Sequence, residues 1–280
     1  VLACEDTRIT RRLLDRYGIQ QKPYAYHEHN AQKVGPKLLA ALEAGYAPWD
    51  SYIDAPIDID GWQPGNFNNK FKGEMSLQDA LAQSVNTIAV QINEDIGRSR
   101  AVSVAARLGL PGFKPYASLA LGAQEVTLFD LTRAYIPFAN WGYDAQPYGL
   151  AAIYTLGGET LYQHEASAKG RVIDTQTLGL INLMLRRVVD AGTGRAARIA
   201  GRDIAGKTGT TQKAEGIKGY KVGEKVKYQA SFCGYFPADN PKYACIVVVA
   251  APNKGKYGAE VAGTVFKSIA HKVYATAFED

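Results

Sequence analysis

The 280-residue sequence predicts an α+β domain in which helices cover an antiparallel sheet. Two observations lead to this fold class. Residues up to about 191 are dominated by stretches in which apolar side chains recur at helical spacing. Three consecutive strand-like runs then follow Asp203, without helices between them. Helices followed by adjacent strands favour an antiparallel sheet over alternating strand and helix units.

The helices are placed by apolar periodicity and by the residues that end them. The pattern is strongest near residue 180, where Leu178, Ile181 and Leu185 lie on one helical face. Gly18 and Gly45 each follow a helical stretch, as a C-terminal cap does. The predicted helices are Thr7–Tyr17, Pro36–Ala44, Ser76–Val90 (bordered or interrupted at Ser84), Ser99–Leu108, Val126–Asn140, Thr175–Ala191 and Glu260–Ala277.

The strands are placed by β-branched and aromatic runs between turn residues. A hairpin is predicted over Gly149–Tyr162, with Gly157 and Gly158 as its turn. The segment Ala47–Gly73 is rich in proline, glycine, asparagine and aspartate, which predicts a long irregular and functional segment. The remaining predictions are strands at Ile204–Thr211, Tyr228–Phe236 and Tyr243–Ala251, and a strand or loop at Lys22–Asn30.

Composition excludes several classes of protein. The net charge of +5 is spread without a block of like charges, so it gives only a weak hint of an anionic partner. No apolar run is long enough to cross a membrane, and the first residues lack a signal-peptide pattern, so any anchor or export signal is expected outside this chain. Cys4, Cys233 and Cys245 are too scattered for a disulfide framework or a zinc site. The last two are predicted to be core residues.

Two short motifs carry the functional signal. Ser84-Val85-Asn86 and Lys207-Thr208-Gly209 are two parts of a three-part set found in enzymes that acylate an active-site serine. The third part is S-x-x-K, which supplies the attacking serine and a nearby lysine. This sequence contains no S-x-x-K.

A phosphate-binding loop is the competing interpretation of the second motif. Residues Gly201–Thr208 match G-x-x-x-x-G-K-[ST] at every position. That loop requires a helix directly after its lysine and threonine, because the helix N-terminus holds the phosphates. Here Gly209-Thr210-Thr211 follows, and glycine with β-branched residues favours a strand. A structural alternative makes Ser84 and Asn86 helix caps and Lys207 a solvated lysine on an edge strand.

With these motifs in order, residues from about Leu39 to Asp280 resemble the transpeptidase domain of penicillin-binding proteins, whose fold is β-lactamase/transpeptidase-like. The part up to Lys207 resembles the glycosyltransferase-linked class, and the end resembles the monofunctional class. The sequence therefore has a mosaic character, and the domain is expected to be incomplete at its N-terminal end. Supporting matches are Trp62–Phe67, Ser118–Ala123, Val188–Gly194 and Phe232–Tyr235.

The resemblance implies a peptidoglycan D,D-transpeptidase, in which a serine attacks a D-Ala-D-Ala stem peptide and β-lactams mimic that dipeptide. Ser84 would relay a proton, Asn86 would bind the donor amide, and Lys207 would stabilise negative charge. Substrate binding would fall to Thr208, Gly209 and Thr210, whose hydroxyls and amide hold the substrate carboxylate and oxyanion. No cofactor, metal or nucleic acid is implied, and the expected compartment is periplasmic or extracytoplasmic, with a membrane reached only through a separate anchor.

The nucleophile is missing in the register that the resemblance defines. Residues 39–46 read LAALEAGY, much as the family does, which places Ala31 at the serine position and Val34 at the lysine position. Lys33 and Lys37 are nearby, but neither has a serine three residues before it. The sequence therefore predicts an impaired transpeptidase or, alternatively, a non-catalytic peptidoglycan-binding module.

Residues 1–38 fit neither class and are predicted to be a fragment, not an independent domain, that precedes the transpeptidase-like domain 39–280. Ala3–Arg8 and Tyr26–Asn30 resemble a ribose methyltransferase family that modifies small-subunit ribosomal RNA. The family's glycine-rich segment is absent, so no site for S-adenosylmethionine is evident. His27 and His29 have no third partner for a metal.

Overall fold

A computed structural model describes the chain in a series of ranges. They are residues 2–4, 23–25, 34–67, 69–165, 168–212, 228–250, 252 and 258–277. Within these ranges the architecture is α+β, as the sequence predicts. The helices are α1 (Val34–Glu43), α2 (Leu77–Gln83), α3 (Asn86–Asp95), α4 (Arg98–Arg107), α5 (Leu128–Ala134), α6 (Ile136–Ala139), α7 (Thr175–Asp190) and α8 (Thr264–Ala277).

In the part of the chain that the structure describes, the strands form one three-stranded sheet and four two-stranded pairs. Short 3-10 helices cover Ala117–Leu121 and Arg195–Ala197, and a π-helical turn over Ala259–Gly263 leads into α8. The strands are β1 (Leu2–Cys4), β2 (Pro23–Ala25), β3 (Ser51–Asp54), β4 (Gly73–Ser76), β5 (Tyr143–Ala145), β6 (Ala152–Tyr154), β7 (Thr160–Gln163), β8 (Ala168–Arg171), β9 (Ala205–Gln212), β10 (Tyr228–Phe236) and β11 (Tyr243–Ala250).

The three-stranded antiparallel sheet has β10 at its centre and β9 as an edge strand. In the register between them, Lys207 lies opposite Cys233 and Gly209 lies opposite Ser231. Most of β10 is buried, because helices cover both faces of this sheet. The sequence motif Lys207-Thr208-Gly209 therefore lies on a regular edge strand.

Two cores hold the sheet between helices. The larger core packs α1 and α7 on one face, with Leu39 and Ile181 fully buried at its centre. The smaller core packs α8 on the opposite face, where Phe266 meets Phe232 with ring centroids 4.6 Å apart. Burying such aromatic and aliphatic side chains contributes about 1.5–3 kcal/mol each. The apolar spacing of α7 is thus explained by its packing.

Most predicted elements are confirmed to within a few residues. One correction concerns Ala47–Gly73, which the sequence predicts to be irregular throughout. The structure places β3 inside it, and Ser51 to Asp54 pair with β4 from Ser76 back to Gly73. Four residues bounded by proline and aspartate give too short a periodic signal for sequence reading. The predicted hairpin is confirmed as β6 and β7, with Gly158 at positive φ in its turn.

The predicted helix Thr7–Tyr17 lies outside the described residues, as do His27 and His29. On either side of that predicted helix, β1 and β2 pair in parallel, with Leu2 opposite Pro23. Parallel strands require a crossover connection, unlike the antiparallel strands elsewhere in this fold. Across the described ranges, every helix is too short or too polar to cross a membrane.

Candidate functional site

Ser84 lies at the junction between helices α2 and α3. Helix α2 begins with Ser76, whose hydroxyl accepts the amide of Asp79, and ends at Ser84. Ser84 has φ 56° and ψ 50°, the left-handed conformation that closes the helix. A side chain other than glycine pays about 1–2 kcal/mol for that conformation. The strain is offset because the Ser84 amide donates to Leu81 O, and Val85 N donates to Ala80 O.

Asn86, two residues later, is fixed by the segment that the sequence marks as functional. Its amide donates to Asn66 Oδ1 at 2.9 Å, and its side-chain Nδ2 donates to Gly65 O at 2.9 Å. Asn66 in turn donates to the carboxylate of buried Asp54. Thr87 donates to the same carboxylate at 2.5 Å. This buried network fixes the start of α3 relative to β3, and so fixes Asn86.

Lys207 brings the two sequence motifs together. Its Nζ donates to Ser84 Oγ at 2.8 Å and to Thr208 O at 3.1 Å. The side chain is only 3% exposed. Burial lowers the pKa of Lys207 from 10.5 to about 7, because a charged amine loses its hydration. A buried amine against a serine hydroxyl can act both as a charge and as a proton acceptor.

Lys37 is the functional candidate that sequence reasoning missed. It extends from α1, is buried, and donates through Nζ to Ala120 O. Burial, followed by the positive charge of Lys207, lowers the pKa of Lys37 to about 7. Lys37, Ser84 and Lys207 line one cavity of about 40 Å³. The signal present in the sequence is a single lysine within a run that is otherwise uncharged from Val34 to Leu42.

Thr208 is held from the loop that follows α7. Its Oγ1 lies 2.8 Å from Thr193 Oγ1, and the Thr193 amide donates to Ala82 O at 2.8 Å. Thr193 therefore connects the edge strand to α2, the helix that ends at Ser84. This connection is a second link between the two motifs, in addition to the contact between Lys207 and Ser84.

Gly209 and Thr210 are contacted by the chain near residue 258. The Gly258 amide donates to Thr210 Oγ1 at 2.9 Å. A Cβ built on Gly258 would lie 2.3 Å from Gly209 O, so that approach requires glycine. The family resemblance assigns Gly209 to substrate binding. In the structure, the close neighbour at the Gly209 carbonyl is the chain's own backbone at Gly258.

An open cleft of about 390 Å³ runs along these groups. Its wall includes Ser84, Asn86, Thr193, Thr208 and Thr210. Charged residues at its edge are Lys70, Lys72 and Glu260. Ser84 and Asn86 line both this cleft and the smaller cavity that contains Lys37, so they separate the two spaces. Of the residues predicted for the site, all but Gly209 line the cleft or the cavity, and Gly209 adjoins them on β9.

Two competing interpretations of the motifs are wrong. After Lys207 and Thr208 the chain continues as β9 to Gln212, so the helix that a phosphate loop requires is absent from this described segment. Lys207 is buried and bonded to Ser84, so it is not a solvated lysine on an edge strand. Ser84 does end a helix, but its hydroxyl also faces Lys207.

We expect Gly192→Ala to disrupt the connection between α2 and β9. A Cβ at residue 192 would lie 2.2 Å from Ala82 O, a contact that requires the backbone to move. The expected cost is about 2–4 kcal/mol of unfolding free energy, by analogy with overpacked cores. Gly179→Ala is the matched control, because Gly179 is in α7 with open space around it and should gain up to about 1 kcal/mol. Urea denaturation of both variants tests this, and equal stabilities would contradict it.

An antiparallel sheet covered by helices, with an edge-strand lysine against a serine between two helices, brings together two of the three motifs that mark the class of serine-acylating proteins. Within that class, the family model of the penicillin binding protein transpeptidase domain matches residues 35–271. The chain therefore belongs to the penicillin-binding protein transpeptidase family. The match begins after Ala31 and Val34, where the sequence locates the missing nucleophile motif.

Relatives agree with that family. Penicillin-binding protein 1A of Aquifex aeolicus is 37% identical over 190 residues, which cover 68% of this chain and 25% of the relative. Penicillin-binding protein 1A of Rickettsia conorii is 30% identical over 234 residues, covering 73% of this chain and 29% of the relative. The chain thus spans about a quarter of the length of these relatives.

Solved structures show the same fold. The D,D-transpeptidase domain of a peptidoglycan glycosyltransferase from Eggerthella lenta has a TM-score of 0.75 at 19% identity, covering 97% of this chain and 72% of that one. Penicillin binding protein 3 from Mycobacterium tuberculosis, complexed with aztreonam, has a TM-score of 0.80 at 22% identity, covering 95% and 67%. At these identities the likeness concerns the fold.

Proposed function

We propose that this chain recognises the D-Ala-D-Ala end of peptidoglycan stem peptides, and β-lactams that mimic it, while its own acyl transfer is impaired. The observation that carries the proposal is the 2.8 Å contact from Lys207 to Ser84, a residue on the wall of the open cleft. The family's acyl transfer requires the serine of S-x-x-K, and this sequence has none. Recognition is therefore retained without the usual acylation step.

Recognition follows from the groups along β9. The Thr208 and Thr210 hydroxyls line the cleft, and each can donate its proton to a substrate carboxylate. Lys207 adds a positive charge when protonated, which favours an anionic ligand nearby. Asn86, held by Asn66 and Gly65, would bind the amide of the acyl donor. Ser84 would relay a proton between Lys207 and the bound group.

We expect Thr210→Val to weaken ligand binding about tenfold or more. The substitution keeps the side-chain shape and removes one hydroxyl, and a hydrogen bond to a charged group contributes about 1.5–3 kcal/mol. Fluorescence anisotropy of a fluorescent penicillin measures the affinity. Thr276→Val, on the exposed side of α8, is the matched control and should bind as the parent does.

The same reagent distinguishes the impaired enzyme from an active one. We expect binding that reverses on dilution, with no adduct surviving denaturing electrophoresis. A stable adduct on the parent chain would contradict impaired acylation. Absence of any saturable binding would contradict recognition itself. It would rule out both the transpeptidase proposal and the non-catalytic binding-module alternative.

We also propose that the predicted domain 39–280 is the functional domain together with the start of α1, because Lys37 and Leu38 line the same cavity as Ser84. The residues before α1 are then the fragment. The family match over residues 35–271 supports this division. An extracytoplasmic location is proposed because the chain belongs to a family of cell-wall proteins. Calorimetry with S-adenosylmethionine tests a methyltransferase role, and we expect no heat of binding.

A further inference from the structure

We propose that Ser84 is itself a nucleophile, activated by Lys207, and that this pair hydrolyses activated esters of short carboxylic acids. Ser84 Oγ and Lys207 Nζ are 2.8 Å apart, which is within the distance required for direct proton transfer. A serine with a lysine as its base is a known variant of nucleophilic catalysis. This reaction is separate from stem-peptide recognition and does not require it.

Lys207 has the protonation behaviour that a general base needs. It is 3% exposed, and burial lowers its pKa to about 7, so a substantial fraction is neutral at physiological pH. In the neutral amine the hydrogen bond reverses, because the nitrogen lone pair then accepts the Ser84 hydroxyl proton. The Thr208 carbonyl accepts a remaining N–H at 3.1 Å, which keeps Nζ in place.

The other titratable groups around Lys207 do not neutralise it. Across the cavity on α1 lies Lys37, a second amine, whose pKa is also lowered to about 7 by burial and by Lys207. Opposite Lys207 on β10 is Cys233, whose thiol pKa is raised well above its ordinary value by burial and so stays protonated. Lys70, Lys72 and Glu260 lie farther along the cleft wall.

The chemical step balances within this pair and water. Ser84 Oγ bonds to the ester carbonyl carbon as its proton passes to Lys207 Nζ. The resulting ammonium lies beside the new oxyanion and stabilises it. Collapse breaks the ester C–O bond, and the leaving alcohol takes the proton from Lys207. Water then attacks acyl-Ser84 by the same route, which releases the carboxylic acid and restores both side chains.

The space next to Ser84 selects the acyl group. Ser84 faces the open cleft on one side and a cavity of about 40 Å³ on the other. That cavity is lined mainly by apolar side chains, including Leu38, Leu81 and Ile88. A void of this size accepts an acetyl-sized group and excludes long acyl chains. We therefore expect acetyl esters to react faster than octanoyl esters.

The test uses p-nitrophenyl acetate with the full chain. We expect release of p-nitrophenol above the buffer rate, rising with pH through about 7 and level above it, as Lys207 loses its proton. Acid quenching followed by mass spectrometry should find one acetyl group on the peptide that contains Ser84. Hydroxylamine should remove this acetyl group, because it cleaves an ester on serine and leaves an amide on lysine intact.

Ser84→Ala and Lys207→Met should each reduce the rate about a hundredfold or more, towards the buffer rate. Ser84→Gly is a second variant that relieves the positive φ and so keeps the fold intact. Exposed controls Ser99→Ala and Lys267→Met should keep the parent rate. Hydroxylamine-resistant acetyl on Lys37, or full activity in Ser84→Gly, would overturn the proposal. Fluorescent-penicillin binding by the parent chain shows separately whether stem-peptide recognition holds.

Discussion

The double substitution Ala31→Ser with Val34→Lys is expected to give the chain covalent labelling by penicillin. It restores S-x-x-K in the register that residues 39–46 define. Val34 begins α1, one helical turn before Lys37, and residues three apart lie on the same helix face. Lys37 lines the cavity with Ser84 and Lys207, so α1 is the helix that borders the two remaining motifs.

The expected increase in labelling rate is estimated from the loss of rate that follows when an enzyme loses its nucleophile. In a serine protease that loss reaches about a million-fold in rate, so even a partly aligned serine should raise labelling by about a thousandfold or more. Labelling time courses with fluorescent penicillin measure the rate. Ala31→Ser alone and Val34→Lys alone are the controls, since each restores half of the motif.

The site of attachment decides the outcome of that experiment. Peptide mapping should locate the penicillin on the new serine at residue 31. An unlabelled double variant that still binds penicillin reversibly would contradict the register. An adduct on Ser84 would instead extend the ester chemistry of the Ser84 and Lys207 pair to bulky acyl groups.

The two motifs could be predicted from the sequence because each depends on the spacing of neighbouring residues. Three residues specify each motif, and the β-branched residues after Lys207 correctly indicate a strand and not a helix. The order of the motifs along the chain then indicates the family. The helices and the main sheet could be predicted from the periodicity of the apolar residues. The distance in space between the motifs could not be predicted from the sequence, since Ser84 and Lys207 are 123 residues apart along the chain.

Lys37 and the Asp54 network show what sequence reading misses. Asp54 reads as one of many acidic residues in an irregular segment, yet it is buried and accepts from Asn66 and Thr87. Lys37 is noted in the sequence only for lacking a serine three residues before it, yet it is buried together with residues 38–42 of α1. Burial from all directions is a tertiary property, so one-dimensional periodicity does not reveal it.

Lys37→Met is expected to stabilise the protein at neutral and acidic pH. In the folded chain the Lys37 pKa falls from 10.5 to about 7, so the unfolded chain binds more protons between these values. Parent stability therefore rises with pH across that window, and the full cost of burial applies below pH 7. At about 1.4 kcal/mol per pKa unit, that cost is on the order of 4–5 kcal/mol.

Methionine removes this cost but also loses a hydrogen bond. Without Lys37, the Ala120 carbonyl is left without its Nζ donor, which costs about 1–3 kcal/mol. The net gain is expected to be about 2–3 kcal/mol near pH 6 and to vanish or reverse near pH 10, where Lys37 is neutral in the parent. Lys267→Met, on exposed α8, lacks the burial that causes this dependence. Urea denaturation of parent, Lys37→Met and Lys267→Met across pH 6 to 10 measures it. A gain that does not change with pH would show that packing, and not the charge on Lys37, limits the stability of this core.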